Sequence, residues 1–309
     1  MQPLVSIIIP CYNASLWLTD AIESALAQTW SQRELILVND GSTDDSLAIA
    51  RRFESRGVIV IDQANRGAAA ARNAGLRVAR GDFIQFLDAD DLLAPEKIAA
   101  QMRLLTRCGE RVLASGAWAR FRDRPEEAVF SPFGNWRNLT GVEFLQLHFE
   151  HGWMMHPTAW LAPRALLDRA GPWDETLSLN DDGEYFARVM LAAERIEFCD
   201  AARSYYRSGL DSSLSGRKDR HSLESLYKSV DLTLRHLQAA DRSPRTQAAS
   251  AYAWKWLAFE LYPSAAELAR VAEENSHRLG GSTRALPAGG RFQLASRLIG
   301  WRLAKRLCC

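Results

Sequence analysis

The sequence predicts an α/β fold, in which a mainly parallel but mixed sheet is flanked by helices and followed by a C-terminal helical extension. Three observations support this prediction. Short apolar runs rich in β-branched residues alternate with helix-patterned segments over roughly the first 90 residues, which is typical of βαβ units. Acidic clusters follow several apolar runs, where ligands of α/β sheets bind. After residue 215 only helical patterns remain.

The predicted elements of the first part follow one another at short spacing. The first strand is expected at residues 4–9, a β-branched run that ends at Pro10. Apolar residues at helical spacing predict a helix over 15–29: Leu16, Leu18, Ile22 and Leu26. Further strands are expected at residues 35–38, 58–61, 83–87, 112–120 and 158–161. Further helices are expected at about residues 45–54, 67–76, 95–105, 141–150 and 184–193.

The pattern changes in the last third of the chain. Residues 220–240 and 244–275 are helix-patterned, and residues 291–309 are basic and amphipathic. We therefore expect two domains, an α/β domain of residues 1–215 and a helical region of residues 216–309.

Composition narrows the class of protein. The 309 residues are 47% apolar, enough for a large core, and the net charge of +1 predicts no nucleic-acid partner. The five cysteines are odd in number and lack metal-ligand spacing, which suits a reducing compartment. The first apolar run has no basic leader, and no run of about 18 apolar residues lacks charge. We therefore expect a cytoplasmic protein without a transmembrane helix.

Three carboxylates follow the predicted strand at 83–87, and they are the most informative feature: Asp88, Asp90 and Asp91. Carboxylates crowded at a strand end repel one another unless a cation offsets the repulsion. Mg²⁺ or Mn²⁺ carrying phosphates is the expected partner. An isolated Asp-x-Asp would favour a solvated loop with helix-capping aspartates. Two further acidic clusters, at residues 38–42 and 180–184, favour the metal site.

Candidate nucleotide contacts lie after the first two predicted strands. Tyr12 offers a flat ring on which a nucleobase could stack, and Asn13 could cap the next helix. Asp40 could accept the ring N–H of a base. The alternative is a tight turn with a capping Asn13 for the first segment and a simple turn for the second. Arg72 could bind a diphosphate, which a guanidinium matches well, or pair with a carboxylate at the sheet edge.

Four segments occur in an order that closely resembles the family 2 glycosyltransferases, which have the GT-A fold: residues 5–13, 37–45, 65–75 and 86–91. The resemblance continues through the acidic segment at 181–184 and covers roughly residues 3–210. Two positions depart from the family pattern. Asp181 replaces the usual Glu, and Gly183 stands where a bulkier residue is common.

The resemblance implies a donor site for a nucleotide-sugar. Asp40 would bind the base, in a pocket lined by Pro10, Tyr12 and Asn13. The Asp-x-Asp element would consist of Asp88 and Asp90: Asp90 would contact the metal directly, whereas Asp88 would share the metal or contact the ribose.

The resemblance also implies the reaction. Asp182 would act as general base on an acceptor hydroxyl, and the transfer would invert the anomeric centre. The alternative for residues 180–182 is a helix N-cap. We therefore expect a metal-dependent glycosyltransferase that moves a sugar from a nucleoside diphosphate, with UDP favoured, to a growing glycan or glycolipid of polysaccharide biosynthesis. Two alternatives stay open: a sugar nucleotidyltransferase and a non-catalytic nucleotide-sugar-binding protein.

Two C-terminal features complete the expectations. Residues 278–309 are basic, contain no acid and carry apolar residues on one side, so they could place the protein at the inner face of an anionic membrane. The alternatives are a helix docked on the protein and a frayed tail. Near residue 207, Arg207 or the serines at 212 and 213 could fold over the diphosphate, or Arg207 could be a solvated residue of a packed strand.

Overall fold

The computed structural model describes residues 2–209 and 219–308. Eight strands lie in this part of the chain: β1 Val5–Cys11, β2 Arg33–Asp40, β3 Val58–Gln63, β4 Phe83–Phe86, β5 Leu92–Leu93, β6 Val112–Phe121, β7 Ala162–Pro163 and β8 Arg195–Arg207. The first seven helices alternate with them: α1 Leu18–Leu26, α2 Ser46–Arg52, α3 Ala68–Val78, α4 Lys97–Cys108, α5 Gly141–His151, α6 Arg164–Ala170 and α7 Asp181–Ala192. Five more follow: α8 Arg220–Ala240, α9 Pro244–Leu261, α10 Ala266–Arg278, α11 Gly290–Ile299 and α12 Trp301–Cys308.

The main sheet has the strand order β3-β2-β1-β4-β7. Strands β1 to β4 are parallel, and only β7 runs antiparallel, so the predicted mixed α/β sheet is confirmed. A second sheet has the order β5-β8-β6. The carboxyl ends of β1, β2 and β4 therefore lie side by side at one edge, where a doubly wound sheet binds its ligands.

Strand β1 is buried along its whole length because helices cover both faces of the sheet. On one face Ile8 and Phe86 pack in a large cluster that includes Trp160, Trp173 and the helices after residue 220. On the other face Ile7, Ile9 and Leu37 pack against α1 and α4. The sheet is therefore packed on both faces.

Two predicted elements differ in the structure. The strand expected at 158–161 is wrong: residues 157–159 form a single 3₁₀ turn, and the strand β7 begins only at Ala162. The ring of Pro157 fixes φ at the start of this turn, and the carbonyl of Pro157 accepts the N–H of Trp160 at 3.2 Å. Leu16, expected on the apolar face of α1, precedes the helix and is 80% exposed.

Two helices predicted in the C-terminal part are each divided into two shorter helices in the structure. The helix predicted at 244–275 is two helices, α9 and α10, because Pro263 cannot continue the helical hydrogen bonds. The predicted helix at 291–309 divides into α11 and α12 at Gly300, which has φ of 78°. The domain boundary predicted near 216 lies outside the described residues. Among the residues that are described, no helix combines the length and apolarity needed to cross a bilayer.

Candidate active site

The loops after β1 and β2 are tied together at the ligand-binding edge of the sheet. Asn13 has a left-handed backbone (φ 49°), and its Oδ1 accepts the N–H of Thr43 at 2.8 Å. Ser42 accepts the N–H of Asn13 at 3.0 Å. The sequence had suggested that Asn13 caps α1, but Asn13 instead joins the loops after β1 and β2. Tyr12, beside it, is 49% exposed, so its ring is open to a stacking partner.

Asp40 ends β2 and is only 2% exposed. Its carboxylate accepts the N–H of Arg66 at 3.0 Å, the N–H of Gly67 at 2.8 Å and the side-chain amide of Gln63 at 2.7 Å. The two backbone bonds fix the residues that lead into α3, of which Gly67 is the N-cap. Pro10, also predicted for the nucleotide pocket, is buried within β1. Asp40 thus stabilises the turn that leads into α3, and the sequence alone did not predict these hydrogen bonds.

Arg72 on α3 is the centre of the acidic site. Its side chain is 7% exposed, and its guanidinium donates to Asp88 and Asp181, each at 2.8 Å. The same group lies 4.5 Å from the ring centroid of Trp173. Although burial opposes the charge, the carboxylates of Asp181 and Asp88 raise the pKa of Arg72. The ion pair with a sheet-edge carboxylate, which the sequence left open as an alternative, is present.

The three aspartates after β4 have different surroundings. Asp91 is fully buried and accepts hydrogen bonds from Thr158 Oγ1 at 3.0 Å and the N–H of Arg207 at 2.9 Å; His156 Nδ1 lies 2.9 Å away. Asp88 and Asp90 are only partly buried. Burial, and next the charges of Asp91 and Asp88, raise the pKa of Asp90 to about 8. Asp91 is therefore an internal support, whereas Asp88 and Asp90 are available to a ligand.

A divalent cation fits Asp88 and Asp90 only as part of a complex. Within residues 2–209 and 219–308, no three His, Cys, Asp or Glu side chains converge to hold a metal ion. Mg²⁺ characteristically uses one or two carboxylates and completes its shell with phosphates and water. Burial, and then the carboxylates of Asp91 and Asp88, raise the pKa of Asp90, and a cation bound there would favour its ionised form. This donor set fits a cation that arrives with a diphosphate.

Asp181 and Asp182 form the first turn of α7. Asn180 occupies the N-cap position of α7, the alternative that the sequence allowed, but its side chain makes no capping hydrogen bond to the helix. Burial, and then the charge of Asp181, raise the pKa of Asp182 to about 6. Because Arg72 contacts both Asp88 and Asp181, which lies 109 residues further along the chain than Arg72, the pair Asp181 and Asp182 lies next to the pair Asp88 and Asp90.

Two supporting residues make contacts that the sequence analysis did not assign. Arg207 is buried between Trp17 and Phe121, and its Nε donates to the carbonyl of Asp90 at 2.9 Å, so the solvated arginine that the sequence left open as an alternative is not present. The serines at 212 and 213 lie outside the described residues. Asn73 donates to Glu175 and to the carbonyl of Trp173, each at 3.0 Å. Only the proximity of Asn73 to Arg72 in the sequence could have signalled this link.

Comparison with known proteins identifies related sequences. Residues 6–170 match the family model described as glycosyl transferase family 2. The uncharacterized glycosyltransferase EpsJ of Bacillus subtilis is 34% identical over 222 residues, which are 69% of this chain and 63% of that protein. YibD of Escherichia coli, also an uncharacterized glycosyltransferase, is 36% identical over 148 residues, 46% of this chain and 43% of its own length. The matched region thus spans less than two thirds of these relatives.

Solved structures show the same fold at low sequence identity. The TarS fragment 1–349 of S. aureus, in complex with UDP-GlcNAc, has a TM-score of 0.67 and 19% identity over 93% of this chain and 95% of that one. The mannosyltransferase PcManGT of Pyrobaculum calidifontis, in complex with GDP-Man and Mn²⁺, has a TM-score of 0.56 and 19% identity over 99% and 83% of the chains. The predicted GT-A class is confirmed.

Proposed function

Because the chain belongs to glycosyl transferase family 2, we propose that it transfers a sugar from a nucleoside diphosphate sugar to a hydroxyl group. One observation carries the proposal: the guanidinium of Arg72 joins Asp88, at the donor end of the sheet, to Asp181, the neighbour of the candidate base Asp182. The residues proposed to bind the donor and to accept the proton are thus separated by some 90 residues of sequence but joined through one guanidinium.

The donor is proposed to lie along the ends of β1, β2 and β4. TarS and PcManGT were solved with UDP-GlcNAc and GDP-Man, which supports a nucleotide-sugar, and we favour UDP because TarS has the higher TM-score of the two. The exposed ring of Tyr12 would stack on the base, with Asn13 and the buried Pro10 forming the pocket. Asp40 would face the base ring while it holds the turn into α3.

A divalent cation, Mn²⁺ or Mg²⁺, is proposed to bind with the diphosphate at Asp90 and Asp88. Such an ion supplies Lewis-acid neutralisation of the charge that builds on the departing diphosphate. Two arginines position the carboxylates that would bind this ion. Arg207 fixes the backbone of Asp90 through its carbonyl, and Arg72 orients the carboxylate of Asp88.

Asp182 is proposed as the general base. It would take the proton from the acceptor hydroxyl as that oxygen attacks the anomeric carbon from the face opposite the diphosphate, and the product would be inverted. A pKa raised to about 6 leaves Asp182 ionised at neutral pH and makes it a stronger base than an ordinary aspartate. The acceptor is proposed to be a growing glycan or a lipid-linked sugar, and the boundary between the two domains is proposed near residue 216.

The test separates donor binding from transfer. A thermal-shift screen of UDP-, GDP- and dTDP-sugars with and without Mn²⁺ identifies the donor, since a ligand that binds the native state raises Tm. We expect Asp90→Ala to abolish both the metal-dependent shift and transfer. Asp182→Asn should keep the shift and lose transfer. Asp45→Asn, an exposed aspartate that makes no capping bond, should change neither. Normal turnover by Asp182→Asn would refute the base assignment, and release of pyrophosphate would indicate a nucleotidyltransferase.

A further inference from the structure

The last two helices, α11 and α12, form a unit that we call the C-terminal hairpin (residues 290–308). Its inner side is packed on the protein: Phe292 and Ala304 are buried in a small cluster with Phe259 and Leu286. Trp301 donates its ring N–H to Glu273 at 3.3 Å, and Arg302 pairs with the same carboxylate. The hairpin is therefore docked on α9 and α10, and it is not a frayed tail.

The outer side of the hairpin is apolar and open to solvent. Four leucines line it, with exposed fractions of 65%, 79%, 49% and 70%: Leu294, Leu298, Leu303 and Leu307. Each helix contributes a pair at i,i+4 spacing, so the two leucines of each helix lie on one face. Exposed apolar residues gathered in this way mark a contact surface, whereas scattered single ones do not.

The charge on this side selects the partner. Arg291 and Arg297 lie three residues from Leu294 on either side, so both guanidinium groups flank the leucine face. Both are exposed, and neither has a carboxylate partner among the described residues. From residue 275 to the end of the sequence there is no Asp or Glu. A second copy would bring like charges together, whereas an anionic bilayer complements both the charge and the leucines.

We propose that the outer face of the C-terminal hairpin binds an anionic lipid bilayer. The leucines would enter the interface between headgroups and acyl chains, and the arginines would contact lipid phosphates. This binding deepens the proposed function by bringing the active site to a lipid-linked acceptor. It requires neither donor nor catalysis, so lipid binding and transfer can fail separately.

Vesicle sedimentation tests the lipid surface. The full chain should sediment with phosphatidylcholine vesicles that contain phosphatidylglycerol, and less with phosphatidylcholine alone. Leu298→Gln with Leu303→Gln should weaken binding at least about tenfold, because both substitutions remove apolar surface that would leave water on binding. Leu16→Gln, which changes a leucine exposed elsewhere, should have no effect. Equal sedimentation of the double variant and the wild-type protein would overturn the proposal. So would the finding that the leucines support a dimer that does not bind vesicles.

A second, independent observation concerns helix α8 and the segment 178–182, which we call the base segment. Ser225 Oγ accepts the N–H groups of Ser178 and Leu179 at 2.8 and 2.9 Å and donates to the carbonyl of Leu179 at 3.1 Å. One turn further, Ser229 Oγ donates to the carbonyl of Asn180 at 2.6 Å and accepts its side-chain amide at 2.7 Å. Two buried serines therefore hold the backbone that leads into Asp182.

Gly183 is part of the same arrangement. Asn180 has a left-handed backbone (φ 59°), and its side chain lies over Gly183. A Cβ at Gly183 would stand 2.6 Å from Oδ1 of Asn180, so any larger residue would displace that side chain from Ser229. The glycine, which departs from the family pattern, thus leaves the space that the contact between Asn180 and Ser229 needs.

We infer that Ser229 is a positioning residue for Asp182, acting through Asn180, and that α8 is therefore part of the active site. The inference rests on the proposed role of Asp182. Ser229→Ala removes both hydrogen bonds to Asn180 and lets the base segment shift. Because proton transfer works only within about one hydrogen bond, the shift should lower kcat and leave donor binding unchanged.

Kinetics with a donor thermal shift test this role. Ser229→Ala should lower kcat about tenfold with an unchanged donor KM and an unchanged Mn²⁺-dependent donor shift. Gly183→Ala should reproduce this effect with Ser229 intact. Ser250→Ala is the matched control: this serine of α9 is also buried, but its hydroxyl has no partner among the described residues. Wild-type kcat in both variants, or loss of donor binding in parallel with kcat, would overturn the role. If donor binding persists and Asp182→Asn also transfers at the wild-type rate, the assignment of Asp182 as general base has failed instead, whereas loss of both donor binding and transfer in the wild-type protein would count against the proposed function.

Discussion

Replacing Arg72 by methionine tests the electrostatic centre of the site. Methionine keeps much of the apolar stem but removes the guanidinium that donates to Asp88 and Asp181 at 2.8 Å each. The arginine side chain is 7% exposed, so solvent cannot replace it freely. Removing one partner of a buried ion pair costs about 3–5 kcal/mol, because the remaining charge stays uncompensated. We expect a loss of this size in the free energy of unfolding at pH 8.

The pH dependence of this loss distinguishes charge from packing. Burial and the neighbouring acids already raise the pKa of Asp181 and of Asp182, the latter to about 6, and Arg72 opposes both shifts. Without Arg72 these pKa values rise further. A carboxyl group with a raised folded-state pKa destabilises the fold while it is ionised, and the penalty fades as the pH falls toward the unfolded value of about 3.9. The loss should therefore be largest at pH 8 and smallest near pH 4.

Urea unfolding at pH 4, 5, 6 and 8 measures the effect. Arg77→Met is the control, since Arg77 is an exposed arginine on the same helix, and its loss should change stability by less than about 0.5 kcal/mol. A loss of below about 1 kcal/mol, or one that does not change with pH, would refute the argument that Arg72 offsets buried carboxylates.

Three further outcomes follow from the structure. The transfer rate should rise with pH through about 6, because Asp182 must be ionised to accept a proton; a rate that is flat from pH 5 to pH 8 would contradict this role. Gly75→Ala would place a Cβ 2.4 Å from Cγ2 of Ile8, so urea unfolding should show a loss of about 1–3 kcal/mol, whereas Gly290→Ala meets no atom within 4 Å and should be neutral or stabilising. Thr140→Ala removes the capping box of α5 and should cost about 1 kcal/mol in the same assay, and an unchanged unfolding midpoint would show that the cap is dispensable.

The sequence predicted the parts of the fold that depend on neighbouring residues. β-Branched runs such as residues 5–9 became strands, and the alternation with helices implied a parallel sheet whose carboxyl ends meet at one edge. The prediction failed at 158–161, where an apolar run looked like a strand. There Pro157 fixes a turn, and the side-chain amide of Gln85 donates to the carbonyl of Thr158 at 3.0 Å. No local pattern could reveal a partner 73 residues away.

What the sequence determined by itself was the succession of β1 to β4 and β6 along the chain, the helices between them and the acidic residues after β2 and β4, because these follow from periodicity and from resemblance to a family. The short strands β5 and β7 and the long strand β8 were not predicted. Tertiary structure alone decided which charges share an environment. It placed Arg72 between Asp88 and Asp181, buried Asp91 against His156, and set Ser229 beneath Asn180. The physical reason is that burial and distance govern electrostatic and hydrogen-bond energies, and only packing brings groups from distant parts of the chain to within 3 Å.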